Sequence, residues 1–346
     1  MLSALEDKVF KLSDKTFYLL LVFILIIKNG IHPIGSEWIS WVYESGKTFP
    51  KPINYLSYSF GPILVSKIFS FPPYIVWWLF FAFLTLLFYL CNYFAIRTLS
   101  KNNFKKYAIV FFAFTFSVSP LYYMGHYDLI TIAAGILAAT TRHKSLIIMG
   151  AFMAVSANPE QAMMTSLCVA VFTMGSKEVM DKFIAKWWLL ITIISYFSIH
   201  LIIGQANDGS RVKIFLDTIK GVSADSLGKI NFIIFSVFGV GWAIIFLGSS
   251  QIMRISKLKF EILGAILMPV IFAIFVLDRT RVGVAIGTLP VLLLLKLFAR
   301  ELKVEEISNR VFSYLLIVII FTPQIFIDSD GTLRLPYSEF IKHFVV

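Results

Sequence analysis

The sequence predicts an all-α fold, a polytopic transmembrane helical bundle of about eleven spans forming a single domain over residues 1–346. Composition is the first observation behind it. The chain is 58% hydrophobic and only 15% charged, with a mean hydropathy of +0.81. A soluble domain is roughly 45–50% apolar and about 25% charged, so lipid must solvate much of this chain. The second observation is continuity. Hydrocarbon tolerates only helices or a closed barrel, because backbone polar groups must be paired internally, and apolar runs without polar alternation select helices. The third is the distribution of cations between the runs, which sets an orientation.

Spans are expected at 17–31, 73–96, 107–123, 127–141, 145–157, 161–175, 187–203, 230–248, 261–277, 282–298 and 312–327. The first run follows MLSALEDKVFKLSDK, which is mixed in charge and has no small-residue cleavage site after the run. It therefore reads as a retained helix rather than a signal peptide. The stretches before the first span and at 97–106, 142–144, 177–186, 254–259 and 296–310 carry 19 of the 31 Lys and Arg residues. Positive charge marks the cytoplasmic side, which places the N-terminus inside and the C-terminus outside a membrane, expected to be a bacterial inner membrane. Two outer loops are longer than a connection needs, 29–72 and 204–229. In the first, Trp38, Trp41 and Val42, then Ile53, Leu56, Phe60, Ile63, Leu64 and Ile68, recur at helical spacing. That pattern predicts two amphipathic helices lying on the membrane surface.

The charge of +11 is scattered over short loops, which excludes a nucleic-acid surface as its explanation. Cys91 and Cys168 sit inside apolar runs and read as small buried hydrophobes. No zinc-ligand spacing, P-loop or GxSxG motif is present. His143 lies between Arg142 and Lys144 in a charged loop, and His200 within a span reads as a packed, hydrogen-bonded histidine.

Four polar clusters fall on the outer side: His32 with Glu37 and Glu44; Gly125-His126-Tyr127-Asp128; Asn158-Pro159-Glu160-Gln161; and Asp278-Arg279-Thr280-Arg281. A span needs about 20 residues to cross about 30 Å of hydrocarbon, and 127–141 and 145–157 fall short of that. Their outer turns are therefore expected below the surface, lining an aqueous cavity rather than facing lipid. Each cluster also has a plainer reading. Glu37 and Glu44 suit a solvated surface segment. His126 and Asp128 suit a helix start, and so do Asn158, Pro159 and Glu160. Asp278 with Arg279 and Arg281 suits an interfacial group, although two Arg beside one Asp leave a spare positive charge that favours an anion.

The arrangement resembles the GT-C superfamily of membrane glycosyltransferases. The resemblance rests on HPIGSEWISWVYESG (32–46), following span one, and on GHYDLI (125–130), which is similar to a Gly-[His/Gln]-aromatic-Asp turn of some members. It covers about the first 175 residues as an arrangement. It implies transfer of a hexosyl or pentosyl group from a polyprenyl-phosphate sugar to a glycan or glycolipid acceptor on the extracytoplasmic side. Glu37 or Asp128 would be the catalytic base. His126, Asn158, Glu160, Asp278, Arg279 and Arg281 would hold substrate and the lipid phosphate. The family's acid is usually Asp, whereas the first loop here holds none and Glu37 occupies the matching place. The lipid-linked donor is the only cofactor implied, and the residues name no metal ligands, leaving metal dependence open. An O-antigen-type polymerase and a transporter or lipid flippase are the competing readings. Pro269 and Pro290 break spans as a transporter's would, but without ionisable neighbours at that depth.

Overall fold

The computed structural model describes residues 8–32, 36–51, 55–69, 75–99, 102–204, 228–252, 258–276, 279–327 and 333–334. Helix α1, Asp14–Asn29, starts at Ser13, whose hydroxyl accepts the Thr16 N–H at 3.1 Å. Asp14 in its first turn and Lys28 in its last complement the helix dipole. It stops at Gly30, where φ of +70° suits a residue without a Cβ. Within the first long loop lie α2, Ser36–Thr48, and α3, Phe60–Phe69. Then follow α4, Ile75–Leu99; α5, Phe104–Phe112; and the single turn α6, Ser119–Tyr122.

The centre of the molecule is built from α7, Asp128–Thr140; α8, Lys144–Ala157; α9, Pro159–Gly175; and α10, Val179–Ile203. Beyond them come α11, Ile230–Phe238, and α12, Gly241–Ile252. Next is α13, Lys259–Ile262, running through a π-helical turn, Leu263–Leu267, into α14, Met268–Ile274. Last are α15, Arg279–Glu301; α16, Asn309–Phe321; and an antiparallel pair of two-residue strands, β1 Phe326–Ile327 and β2 Leu333–Arg334. Helices α7 and α8 form one hairpin and α9 and α10 another, and α15 packs against both α7 and α9. Small residues allow this closeness. A Cβ on Gly150 would stand 3.1 Å from the Ala134 carbonyl, and one on Gly135 would stand 3.3 Å from the Leu289 backbone nitrogen.

The eleven-span architecture does not hold. Among the described residues three helices are long and apolar enough to cross a membrane: α4, α10 and α15. A fourth crossing exists if α11 and α12, bent by 83° at their junction, count as one. Each lost span has a local cause. The run 107–123 is cut where α5 ends at Phe112 and the chain turns through Ser117, whose hydroxyl donates to the Phe114 carbonyl at 2.7 Å. The run 261–277 is divided by its π turn and by Pro269. Helices α1, α7, α8, α9 and α16 have 16, 13, 14, 17 and 13 residues. At 1.5 Å per residue none is longer than about 26 Å. Much of the apolar sequence is interior rather than lipid-facing: Ile132, Ala134, Ala138 and Ala139 of α7 are all buried.

The GT-C resemblance depended on that plan of spans. The glycosyltransferase, polymerase and flippase or transporter readings depended on it as well, and all fall with it. What stands is a membrane-associated, multi-span protein. Helices α4 and α10, 25 residues each, have mean hydropathies of 2.0 and 1.6 over their most apolar stretches. At about 37 Å each exceeds the roughly 30 Å hydrocarbon thickness. Leu79, Phe83, Leu86, Leu90 and Phe94 of α4 are exposed along its length, as lipid contact requires. Helix α15 differs, since 78% of its apolar stretch is buried inside the protein.

The π turn packs backbone to backbone against α9. A Cβ on Gly264 would lie 2.4 Å from the Cys168 carbonyl oxygen and 2.5 Å from the Phe172 nitrogen, both backbone atoms of α9. Gly264→Ala is therefore expected to lower stability by about 1–3 kcal/mol, the cost of overpacking a filled site. Thermal unfolding of the purified protein in detergent checks this; an unchanged midpoint would show that α9 and the π turn separate freely.

Candidate functional site

Three helices begin at one place. Asp128 opens α7, Pro159 opens α9 and Arg279 opens α15, each directing first-turn N–H groups and the positive end of its dipole toward the same region. At their meeting point Arg281 Nη1 lies 3.1 Å from Asp128 Oδ2. His126 Nδ1 lies 3.0 Å from the same oxygen and accepts the Asp128 N–H at 3.3 Å. The Arg281 guanidinium also abuts the His126 ring. The side chains of Asp128, His126 and Arg281 are only 3%, 6% and 13% exposed. The buried Asp128 carboxylate is thus held chiefly by the charges around it.

Burial pushes the Asp128 carboxyl up. The Arg281 guanidinium first, then His126, more than offset it and hold the group at about 2. Gln161, in the first turn of α9, adds to the effect.

The surroundings are aromatic. Trp38 of α2 lies 4.6 Å from the His126 ring and 5.2 Å from Tyr127. Trp77 of α4 donates its indole N–H to the Gly125 carbonyl at 3.0 Å, fixing the turn that carries His126. Gly125 has φ of +102° there, a conformation that favours glycine. His32 pairs by backbone with the preceding turn: its N–H donates to the Leu121 carbonyl at 3.0 Å, and its carbonyl accepts the Met124 N–H at 3.1 Å. From the other end of the chain, Phe326 stacks on Tyr122 at 3.8 Å. The Ile327 N–H donates at 2.9 Å to the Thr280 hydroxyl, which itself donates to Ser236 at 2.8 Å.

The structure thus brings together Asp128, His126 and Arg281. Asn158 is close by as the N-cap of α9, its side chain accepting the Gln161 N–H at 3.1 Å. Glu160 is half-buried, and its charge reaches the Tyr196 phenol. Arg279 is half-buried in the first turn of α15, and Asp278 lies outside the described residues. Glu37 is exposed beside Trp38, while exposed Glu44 pairs with Lys47 at 2.9 Å. Asp128 occupies the first turn of α7 rather than its N-cap, which is Tyr127 and has no side-chain cap.

Trp77 carries no polar signal in the sequence and Trp38 reads only as part of a surface helix, while Gln161 and Thr280 lie within the 158–161 and 278–281 clusters without a role of their own. The Trp38 signal was its adjacency to Glu37, and the Gln161 signal its place in the NPEQ turn. The site is roofed and buried. A cavity of about 240 Å3 opens instead at the opposite end, lined by residues such as Asn102, Asn103, Lys105 and Lys106. Among the described residues no three His, Cys, Asp or Glu side chains are grouped to hold a metal ion.

Comparison with family models, with curated proteins and with solved structures returns no match. The expected hexosyl- or pentosyl-transferase activity therefore has neither a matching relative nor the required multi-span architecture behind it, and it does not stand.

The ion pair gives a pH signature. The folded Asp128 carboxyl, at about 2, lies below an unfolded Asp at about 3.9. Its contribution to stability is therefore complete above about pH 4 and is lost as pH falls toward 2. Asp128→Asn leaves Arg281 buried without its counter-ion and should cost about 3–5 kcal/mol at neutral pH. The gap between wild type and variant should close as pH drops through that window. Unfolding midpoints measured from pH 7 downward test it, and a gap independent of pH would separate Asp128 from the charge network.

Proposed function

We propose that this membrane protein binds the anionic head of an amphiphile at the Asp128–His126–Arg281 locus. The ligand it suits best is the phosphate of a polyprenyl-phosphate-linked sugar. The observation that carries this is Arg281, held almost buried where three helix N-termini converge. Three positive dipole ends act on this region beside the carboxylates of Asp128 and of Glu160 in the first turn of α9, and converging helix starts favour an anionic group. A guanidinium offers five N–H donors in a fixed fork. Asp128 and His126 orient it, and a guanidinium fork matches the geometry of phosphate oxygens. Half-buried Trp38 covers the locus, and the exposed apolar face of α4 offers a surface for the tail. The reading is one of recognition, and no transfer step is assigned to it.

The test uses purified protein in detergent with farnesyl phosphate and, as the uncharged control, farnesol. Wild type should bind the phosphate and not the alcohol. Arg281→Ala should weaken binding about 10- to 100-fold, as expected for loss of a charge-assisted hydrogen bond, and Arg281→Lys less, because it keeps the charge but loses the fork. Arg300→Ala, at the far end of α15, should change nothing. Equal binding of farnesol, or an unchanged Arg281→Ala, overturns the proposal.

The same reading places the Asp128 end outside. Lys105, Lys106, Arg142, Lys144, Lys177, Arg300 and Lys303 gather at the opposite end of the helices, and positive loops stay in the cytoplasm. In intact cells an impermeant thiol reagent should label Glu37→Cys and reach Ser145→Cys only after permeabilisation. The reverse pattern inverts the orientation.

A further inference from the structure

About 25 Å along α9 from its start, at the other end of its 17 residues, a second carboxylate is buried. Glu261, in α13, is 5% exposed, and its Oε2 has no hydrogen-bond partner among the described residues. The carboxylate lies flat against Gly175, the last residue of α9: a Cβ there would stand 2.3 Å from Oε2 and 2.4 Å from Oε1. Gly175 is thus required for Glu261 to sit where it does.

The position is electrostatically contrary. The last four carbonyls of a helix lack intrahelical donors, and they form the negative end of its dipole, where cations are favoured. Here the chain departs at Ser176 in extended conformation and a carboxylate packs against the end. Lys259, two residues before Glu261, is exposed and on another side of the turn. Immediately after Glu261 the backbone enters the π turn, in which the Met268 N–H bonds the Leu263 carbonyl. Such turns occur often at functional sites. The result is a buried carboxylate oxygen, without a hydrogen-bond partner among the described residues, at the negative end of a helix.

We propose that Glu261 and the C-terminal carbonyls of α9 form a binding site for a hard monovalent cation such as Na⁺. One carboxylate with neutral carbonyls suits a single charge, whereas Ca²⁺ and Mg²⁺ sites draw on more carboxylates or several waters. Helix C-termini and locally unwound backbone are the means by which membrane proteins hold Na⁺. Half-buried Gly175 gives the ion its route in. The inference is independent of the amphiphile reading, which concerns the opposite end of α9.

The experiment compares unfolding midpoints of the purified full chain in sodium chloride and in choline chloride at equal ionic strength, with ²²Na⁺ equilibrium dialysis alongside. Wild type should be stabilised by several degrees, saturably, in Na⁺ and should retain about one ion per chain, since a ligand that binds only the folded state stabilises it. Glu261→Gln, of the same shape but uncharged, should unfold at the same temperature in both salts and retain none. Gly175→Ala keeps the carboxylate but displaces it, and should lose the response too. It also serves as the second variant if Glu261→Gln fails to fold. Identical midpoints in both salts with no ²²Na⁺ retained by wild type overturn the proposal. A Na⁺ response that survives in Glu261→Gln overturns it as well.

Discussion

The end of the molecule where α7, α9 and α15 start depends on one ion pair, Asp128 with Arg281. Three helix N-termini directed at a common point repel one another through their dipoles, and buried N–H groups need an acceptor or a charge. Asp128 supplies the negative charge. Arg281 keeps that charge ionised in a buried place, and His126 fills the remaining side. Removing either member leaves the other stranded in a poorly solvated interior, where the desolvation penalty is no longer offset by attraction. The convergence of helices and the charged pair therefore explain each other.

The bundle shows why apolar sequence is an ambiguous witness. The run from Ile75 to Leu99 reads as a membrane span and forms one continuous helix with exposed Leu and Phe side chains. The runs at 127–141 and 145–157 are equally apolar, yet they form short helices whose Ala and Gly residues pack against neighbouring helices. Lipid and protein interior make the same demand on a side chain, so hydropathy cannot tell them apart. The break in 107–123 was hidden for a related reason. Phe114, Phe116, Val118 and Leu121 keep the run apolar through a turn, because that turn is itself buried.

The site was partly legible. GHYD and NPEQ announced themselves as polar interruptions beside short helices, and the doubled arginine of 279–281 signalled surplus charge. That Arg281 rather than Arg279 meets Asp128 follows from the rotation of α15 about its axis, and no local pattern encodes that. Glu37 illustrates the converse. It sits next to Trp38, which reaches the site, but one residue along a helix turns a side chain by about 100°, and Glu37 is exposed. Glu261 gave no signal in sequence, since its significance comes from Gly175, which is remote in the chain and on another helix.

The turn at 119–124 joins parts of the chain that are far apart in sequence. It receives His32 by two backbone hydrogen bonds and Phe326 by a stacked ring, and it runs directly into the loop carrying His126. Fraying of a single helix cannot uncover Asp128, because stretches from near both ends of the chain hold the same turn in place. The amides of this region should therefore exchange with solvent as one cooperative unit, at the slow rate of sub-global opening rather than the fast rate of loops. Access for a ligand would then depend on the displacement of α2 with Trp38, the cover that these clamps do not include.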